Sequence, residues 1–209
     1  LFTVACGGDA APVLTARTPA TTAPPTPAPT APASPAAGGG AGGQQATPRA
    51  LGTYAGTPTT GKDPAFTALE GAKAYFGQLG RAAYRIEVPD AWNGELVMYA
   101  HGFAGYGTEV AVQSPPRALR RYLVANGFAW AASSYSENGY VPGIGADDTL
   151  ALKEHFAAEF GEPKRTYIAG QSMGGNAVAL ALEHHAAEYD GGLSLCGALG
   201  GIEQIAYLA

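Results

Sequence analysis

The chain has 209 residues, 12 Lys and Arg against 17 Asp and Glu for a net charge of −5 at pH 7, and 46% apolar residues. That length suits about one domain, and an acidic balance with no basic run argues against nucleic acid as a partner. Only two cysteines occur, Cys6 and Cys196, without Cys-x-x-Cys or His-Glu-x-x-His spacing, so no metal centre is expected.

Composition divides the chain. Residues 1–61 hold ten of the sixteen prolines, and only Asp9, Arg17 and Arg49 are charged there. Residues 1–6, LFTVAC, form an apolar stub with a small residue before Cys. The stub resembles a signal-peptide remnant and the lipobox of bacterial lipoproteins, which makes Cys6 the lipidation candidate and implies a secreted or envelope-anchored protein. With Cys6 so used, Cys196 would remain single and behave as a small core hydrophobe. A Cys6–Cys196 disulfide is disfavoured, since Cys6 heads a long tail. Nothing reaches the length of a membrane span. Residues 7–61, rich in Pro, Ala, Thr and Gly, bury too little apolar surface to offset the entropy of ordering and read as a disordered linker. Residues 62–209 form the folded part.

Within it, Tyr84 to Val88 alternates apolar and polar like a half-buried strand and stops at Pro89. A turn over Asp90 to Gly94 leads to Leu96–Ala100, an apolar run without alternation, expected of a strand covered on both faces. It ends in His101-Gly102-Phe103. Pro115 to Asn126 reads as a helix with Gly127 closing it, and Phe128–Tyr135 as the next strand. The loop Ser136–Ala146 follows, with Tyr135, Tyr140 and Gly139–Gly145 as candidates for a cleft wall. Asp147 and Asp148 are expected to cap a helix that runs through Phe160.

Thr166-Tyr167-Ile168 is a short strand signal. It enters Gly170-Gln171-Ser172-Met173-Gly174-Gly175, and a helical run from Asn176 follows at once. In a strand, G-x-S-x-G, helix succession the serine sits at the tip of a sharp turn, its hydroxyl exposed above a sheet. The two outer glycines leave room for strand and helix to close on each other. Ser172 is therefore the candidate nucleophile. A last buried strand spans Leu193–Cys196. Strand and helix alternate from residue 84 onward, the pattern of a doubly wound, mostly parallel α/β sheet with helices on both faces. Loops after its strands should gather on one edge and wall one cleft.

His101-Gly102-Phe103 and the Gly170–Gly175 motif, about seventy residues apart and in that order, resemble the α/β-hydrolase superfamily, and more narrowly bacterial secreted serine esterases. The resemblance covers roughly residues 82–209. It implies that Ser172 attacks a carbonyl carbon and forms an acyl-enzyme, with no cofactor. It further implies that the backbone N–H groups of Met173 and Phe103 form the oxyanion hole, where each fixed dipole is worth about 3 kcal/mol. The substrate is then a small-molecule or polymeric ester. His101 is expected to hold its loop rather than act as base.

The chain departs from the family pattern at the base. The order is Ser, then Asp or Glu, then His, and only His184 and His185 follow Ser172. They lie about 18 Å along the helix at 1.5 Å per residue, beyond hydrogen-bond reach. His155, on another helix, meets the same objection. Asp190 precedes a strand, at the wrong edge, and Glu203 is an outside candidate for the acid. The catalytic domain is thus expected to be partial, its acid and histidine encoded after Ala209, and the fragment inactive. Two other readings stay open: a prolyl-oligopeptidase-type peptidase, and a non-catalytic binding module on the same fold.

Overall fold

Apolar runs of Leu96–Ala100 type need cover on two sides, and the layers of the molecule supply it. In the computed structural model residues 60–200 are described. Their elements are β1 Thr60–Gly61, β2 Ala72–Leu79, β3 Ala82–Pro89, β4 Glu95–Ala100, β5 Glu109–Val110, α1 Arg117–Ala125, β6 Ala129–Ser133, α2 Pro142–Phe160, β7 Arg165–Gln171, α3 Met173–His184, a 3₁₀ turn Ala186–Glu188, and β8 Gly191–Leu195. Six strands form one sheet in the order β2-β3-β6-β4-β7-β8, and β1 pairs with β5 apart from it. The pairs β6–β4, β4–β7 and β7–β8 are parallel, while β2–β3 and β3–β6 are antiparallel. The fold is α/β with a mixed sheet.

Alternate residues of each central strand serve opposite layers, as the two-residue period of a strand requires. Leu96, Met98, Ala131 and Ile168 pack with Leu152 and Phe156 of α2 and Ala177, Val178 and Ala181 of α3. Their neighbours Val97, Tyr99, Trp130 and Ala169 pack with Leu123 of α1, with Phe66 against them. Both faces are dry, which is why these strands read as unbroken apolar runs.

Four expectations are corrected here. No strand is expected before Tyr84, yet β2 runs the length of β3 in a hairpin closed by Gly80 at φ 60°. Its alternation is faint because Gly77 sits mid-strand, where a Cβ would press on the ring of its partner Tyr84 at 3.0–3.2 Å. The helix expected to start at Asp147–Asp148 starts at Pro142. Proline suits a first helical turn, where its missing N–H costs nothing, so the two aspartates lie one turn inside. Asp147 meets His185 at 3.2 Å, and Asp148 accepts the Ser136 N–H at 2.6 Å.

Third, Glu87 is wholly buried although its strand reads as half-exposed. It accepts from Arg120 Nε and Nη2 at 2.7 Å each, from Trp130 Nε1 at 2.5 Å and from the Leu69 N–H at 2.6 Å. A carboxylate can be buried when paired and hydrogen-bonded to this extent. Cys196 also differs from expectation: it is disulfide-bonded, not a free thiol. Cys6, Glu203 and nearly all of the linker lie outside the described residues. Among the described residues no helix is long and apolar enough to cross a membrane, and no His, Cys, Asp and Glu cluster could hold a metal ion.

Candidate active site

β7 and α3 meet at a single residue. Ser172 holds φ 56° and ψ −122°, a conformation that side chains rarely adopt, and is exposed. Its backbone is fixed from both sides. The Ser172 N–H donates to Leu195 O at 2.9 Å, and its carbonyl accepts from the N–H groups of Gly175 at 2.9 Å and Asn176 at 3.3 Å.

The glycines around it have steric causes that can be read one at a time. A Cβ on Gly174 would fall on the carbonyl oxygen of Ala100, and one on Gly170 would fall on that of Gly174. A Cβ on Gly175 would stand 2.7 Å from Gly197 Cα and from Ser194 Oγ. Strand β4, the elbow and the loop after β8 thus touch backbone to backbone. At Gly102 a Cβ would lie 3.1 Å from Gln171 O and 4.0 Å from Ser172 Oγ, which puts the His101-Gly102-Phe103 loop directly beside the serine.

His101 is buried and its ring stacks on Tyr135 at 3.9 Å and 19°. Nδ1 faces Gly102 O at 2.6 Å and Nε2 faces Ser134 O at 3.1 Å. Burial lowers its pKa from the ordinary value, partly offset by those two carbonyls, so the ring is neutral near pH 7. A neutral ring carries one proton, and either tautomer spends it on loop backbone. Tyr135, expected as a cleft wall, lies fully buried beneath it, its hydroxyl donating to His101 O at 2.9 Å. Burial pushes that phenol's pKa far up, so it remains a donor.

The loops after β4, β6, β7 and β8 gather on one edge, as expected of loops that follow parallel strands. The Val141 N–H points at Met173 Sδ at 3.3 Å. Asn176 Nδ2 donates to Tyr140 Oη at 3.0 Å and to Ala198 O at 3.1 Å, joining the loops after β6 and β8 across α3. In the sequence Asn176 only opens a helical run, and one amide among Ala, Val and Leu is the available signal of its role. Asp148 holds Ser136 rather than capping the helix. Among the described residues no acceptor takes the backbone N–H of Met173 or of Phe103, the two expected oxyanion donors.

No histidine touches the Ser172 hydroxyl. His155 packs edge-on against Tyr84 at 4.9 Å, His185 pairs with Asp147, and His184 is exposed at the far end of α3. Asp190 accepts the Thr166 N–H at 2.8 Å, at the opening of β7 and so at the sheet edge away from Ser172.

No family model and no curated protein matches the chain. Solved structures similar to it include the fluorophosphonate-binding serine hydrolase FphF of Staphylococcus aureus (14% identity, 60% of this chain and 56% of that one, TM-score 0.46). S-formylglutathione hydrolase of the same organism is similar too (13%, 68% and 66%, 0.47). So is the acylaminoacyl peptidase of Pyrococcus horikoshii (15%, 60% and 22%, 0.46). The chain spans between about a fifth and two thirds of their lengths. These are likenesses of fold.

Proposed function

We propose that this chain is the nucleophile-bearing part of an α/β-hydrolase, a serine hydrolase that cleaves carboxylic esters through an acyl-enzyme at Ser172. One observation carries the reading: an exposed serine is held at positive φ at the junction of β7 and α3, with the His101-Gly102-Phe103 loop directly beside its hydroxyl. Such a backbone costs on the order of 1–3 kcal/mol and persists where the surroundings over-determine it. Here they do, through Leu195 O on one side and the Gly175 and Asn176 amides on the other.

In the proposed reaction Ser172 Oγ bonds to the ester carbonyl carbon and gives up its proton. The carbonyl oxygen takes negative charge beside the amides of Met173 and Phe103, which have no acceptor among the described residues. The bond to the alcohol oxygen then breaks, and the alcohol leaves with a proton. Water attacks the acyl-enzyme by the same route and restores the serine. A hydroxyl needs a base in contact; in this reading the proton passes to a histidine that, with its acid, follows Ser172 in the family order.

The test is labelling by a fluorophosphonate probe on the protein expressed from its whole gene, read by peptide mass spectrometry. The expected result is modification of Ser172, abolished by Ser172→Ala. A folded protein that never labels there would instead be a binding module. Turnover of short acyl esters well above peptide amides is expected next, and the reverse order would make it a peptidase.

A further inference from the structure

The loop from Gly102 to Thr108 presents two large aromatic side chains to water, Phe103 at 46% exposure and Tyr106 at 85%. Exposed apolar residues scattered singly are ordinary on protein surfaces. These two are not scattered: their rings meet edge to face at 5.2 Å and 72°. The chain between them turns at Gly105, φ 90°, a backbone conformation that favours glycine, and so brings both rings to one place.

That place is the mouth of the cleft. Phe103 follows the glycine whose Cβ position lies 4.0 Å from Ser172 Oγ. Tyr106 lies against the facing loop, its ring 3.8 Å from the Cβ position of Gly139. The two loops are fastened to each other. The Gly139 N–H donates to Gly105 O at 2.9 Å, and Asn138 Nδ2 donates to Gly107 O at 3.2 Å and Glu109 O at 2.6 Å. The rings therefore stand on a tied platform, and the two loops hold them without covering them.

We infer that Phe103 and Tyr106 form a stacking shelf for the substrate, and that the ester hydrolysed carries a flat apolar ring on its acyl or its alcohol side. The inference rests on Ser172 being the nucleophile. An aromatic pair has negative faces and positive edges, and a third ring in offset or edge-to-face contact gains from both area and quadrupole. Phe103 then serves twice, its amide at the developing oxyanion and its ring at the substrate. Tyr106 has no part in the chemistry, which makes it the residue to change.

The experiment compares kcat/KM for ester pairs that differ only by a distant ring: methyl 3-phenylpropanoate against methyl butanoate, and 2-phenylethyl acetate against ethyl acetate. The whole-gene protein is expected to prefer the ring-bearing ester by about tenfold in at least one pair, the upper range for an aromatic contact. Tyr106→Ser should reduce that preference about fivefold, read as the ratio of kcat/KM within each pair. Fluorophosphonate labelling of Ser172 is measured on the same samples. Normal labelling with no ring preference, or with a preference that Tyr106→Ser leaves intact, overturns the shelf alone. Absence of labelling overturns the shelf and the nucleophile together.

Discussion

Ser172 is a place where stability and chemistry ask for different residues. At φ 56° glycine is relaxed and serine is strained. Its hydroxyl has no hydrogen-bond partner among the described residues, so removing it breaks no internal contact. Ser172→Gly relieves the strain but adds freedom to the unfolded chain worth about 0.4–1 kcal/mol. Ser172→Ala keeps the Cβ and hence the strain. With strain of roughly 1–3 kcal/mol, the glycine variant should be about 1 kcal/mol more stable than the alanine variant in urea unfolding, while neither labels. A glycine variant less stable than alanine would mean that the turn is unstrained, and the argument for a position held for chemistry would lose its support. The elbow itself was legible because its glycines are demanded by backbone contact, which leaves a spelled motif. Asn176 was not legible, because its partners Tyr140 and Ala198 come from loops that only the folded chain brings together.

At the scale of elements, what could be read was what a strand or helix owes to its own sequence. β4, β6 and β7 stand out as apolar runs because both of their faces are covered. β2 did not, since an edge strand with Gly77 at its centre has little pattern to show. α2 illustrates a different failure. Adjacent Asp147 and Asp148 look like a cap, yet the helix opens a turn earlier, and Asp148 instead reaches back to the loop that walls the cleft. Burial pushes the Asp148 carboxyl pKa above the ordinary 3.8, helped by Asp147 and Glu137 and opposed by the bonds from Ser136. A raised carboxylate means that the folded state binds its proton more tightly than the unfolded one. Stability from this group is therefore greatest at acid pH and is lost as pH rises from the unfolded value through the folded one. Asp148→Asn keeps an oxygen for the Ser136 N–H and removes the charge. It should match or exceed the wild type at pH 7 and lose that part of the pH dependence, measured as unfolding free energy against pH. Asp148→Ala leaves the amide unsatisfied and should cost about 1–3 kcal/mol. An Asn variant as damaged as the Ala variant would show that the charge, not the acceptor, holds the loop.

The whole molecule depends on a charge that sequence patterning placed on the wrong side. Alternation along β3 puts Arg85 and Glu87 on a face expected to meet water, but that face is covered by α1 and by the segment before β2. Arg85 holds that segment through Pro64 O at 2.6 Å and Ala65 O at 3.2 Å, and Arg120 holds it through Thr67 O at 2.7 Å. Phe66 lies beneath, 5.6 Å from the Trp130 ring, with both guanidinium groups within 5.4 Å of its own ring. Glu87 is the common acceptor that joins this strap to α1 and β6, so its loss should be felt in all three. No local pattern announces such a group, because Leu69, Arg120 and Trp130 are distant in sequence. Glu87→Gln would leave Arg120, only 18% exposed at its side chain, without a counter-charge. Removing one partner of a buried pair costs about 3–5 kcal/mol, whereas replacing both by apolar residues is often far milder. Glu87→Gln is thus expected to lose about 3–5 kcal/mol in denaturant unfolding, with amide exchange accelerated over residues 63–69 before the parallel strands respond. Uniform acceleration across the sheet would show that the strap is no separate unit. A loss below about 1 kcal/mol, the range of an exposed pair, would show that Glu87 and Arg120 behave as surface charges despite their burial.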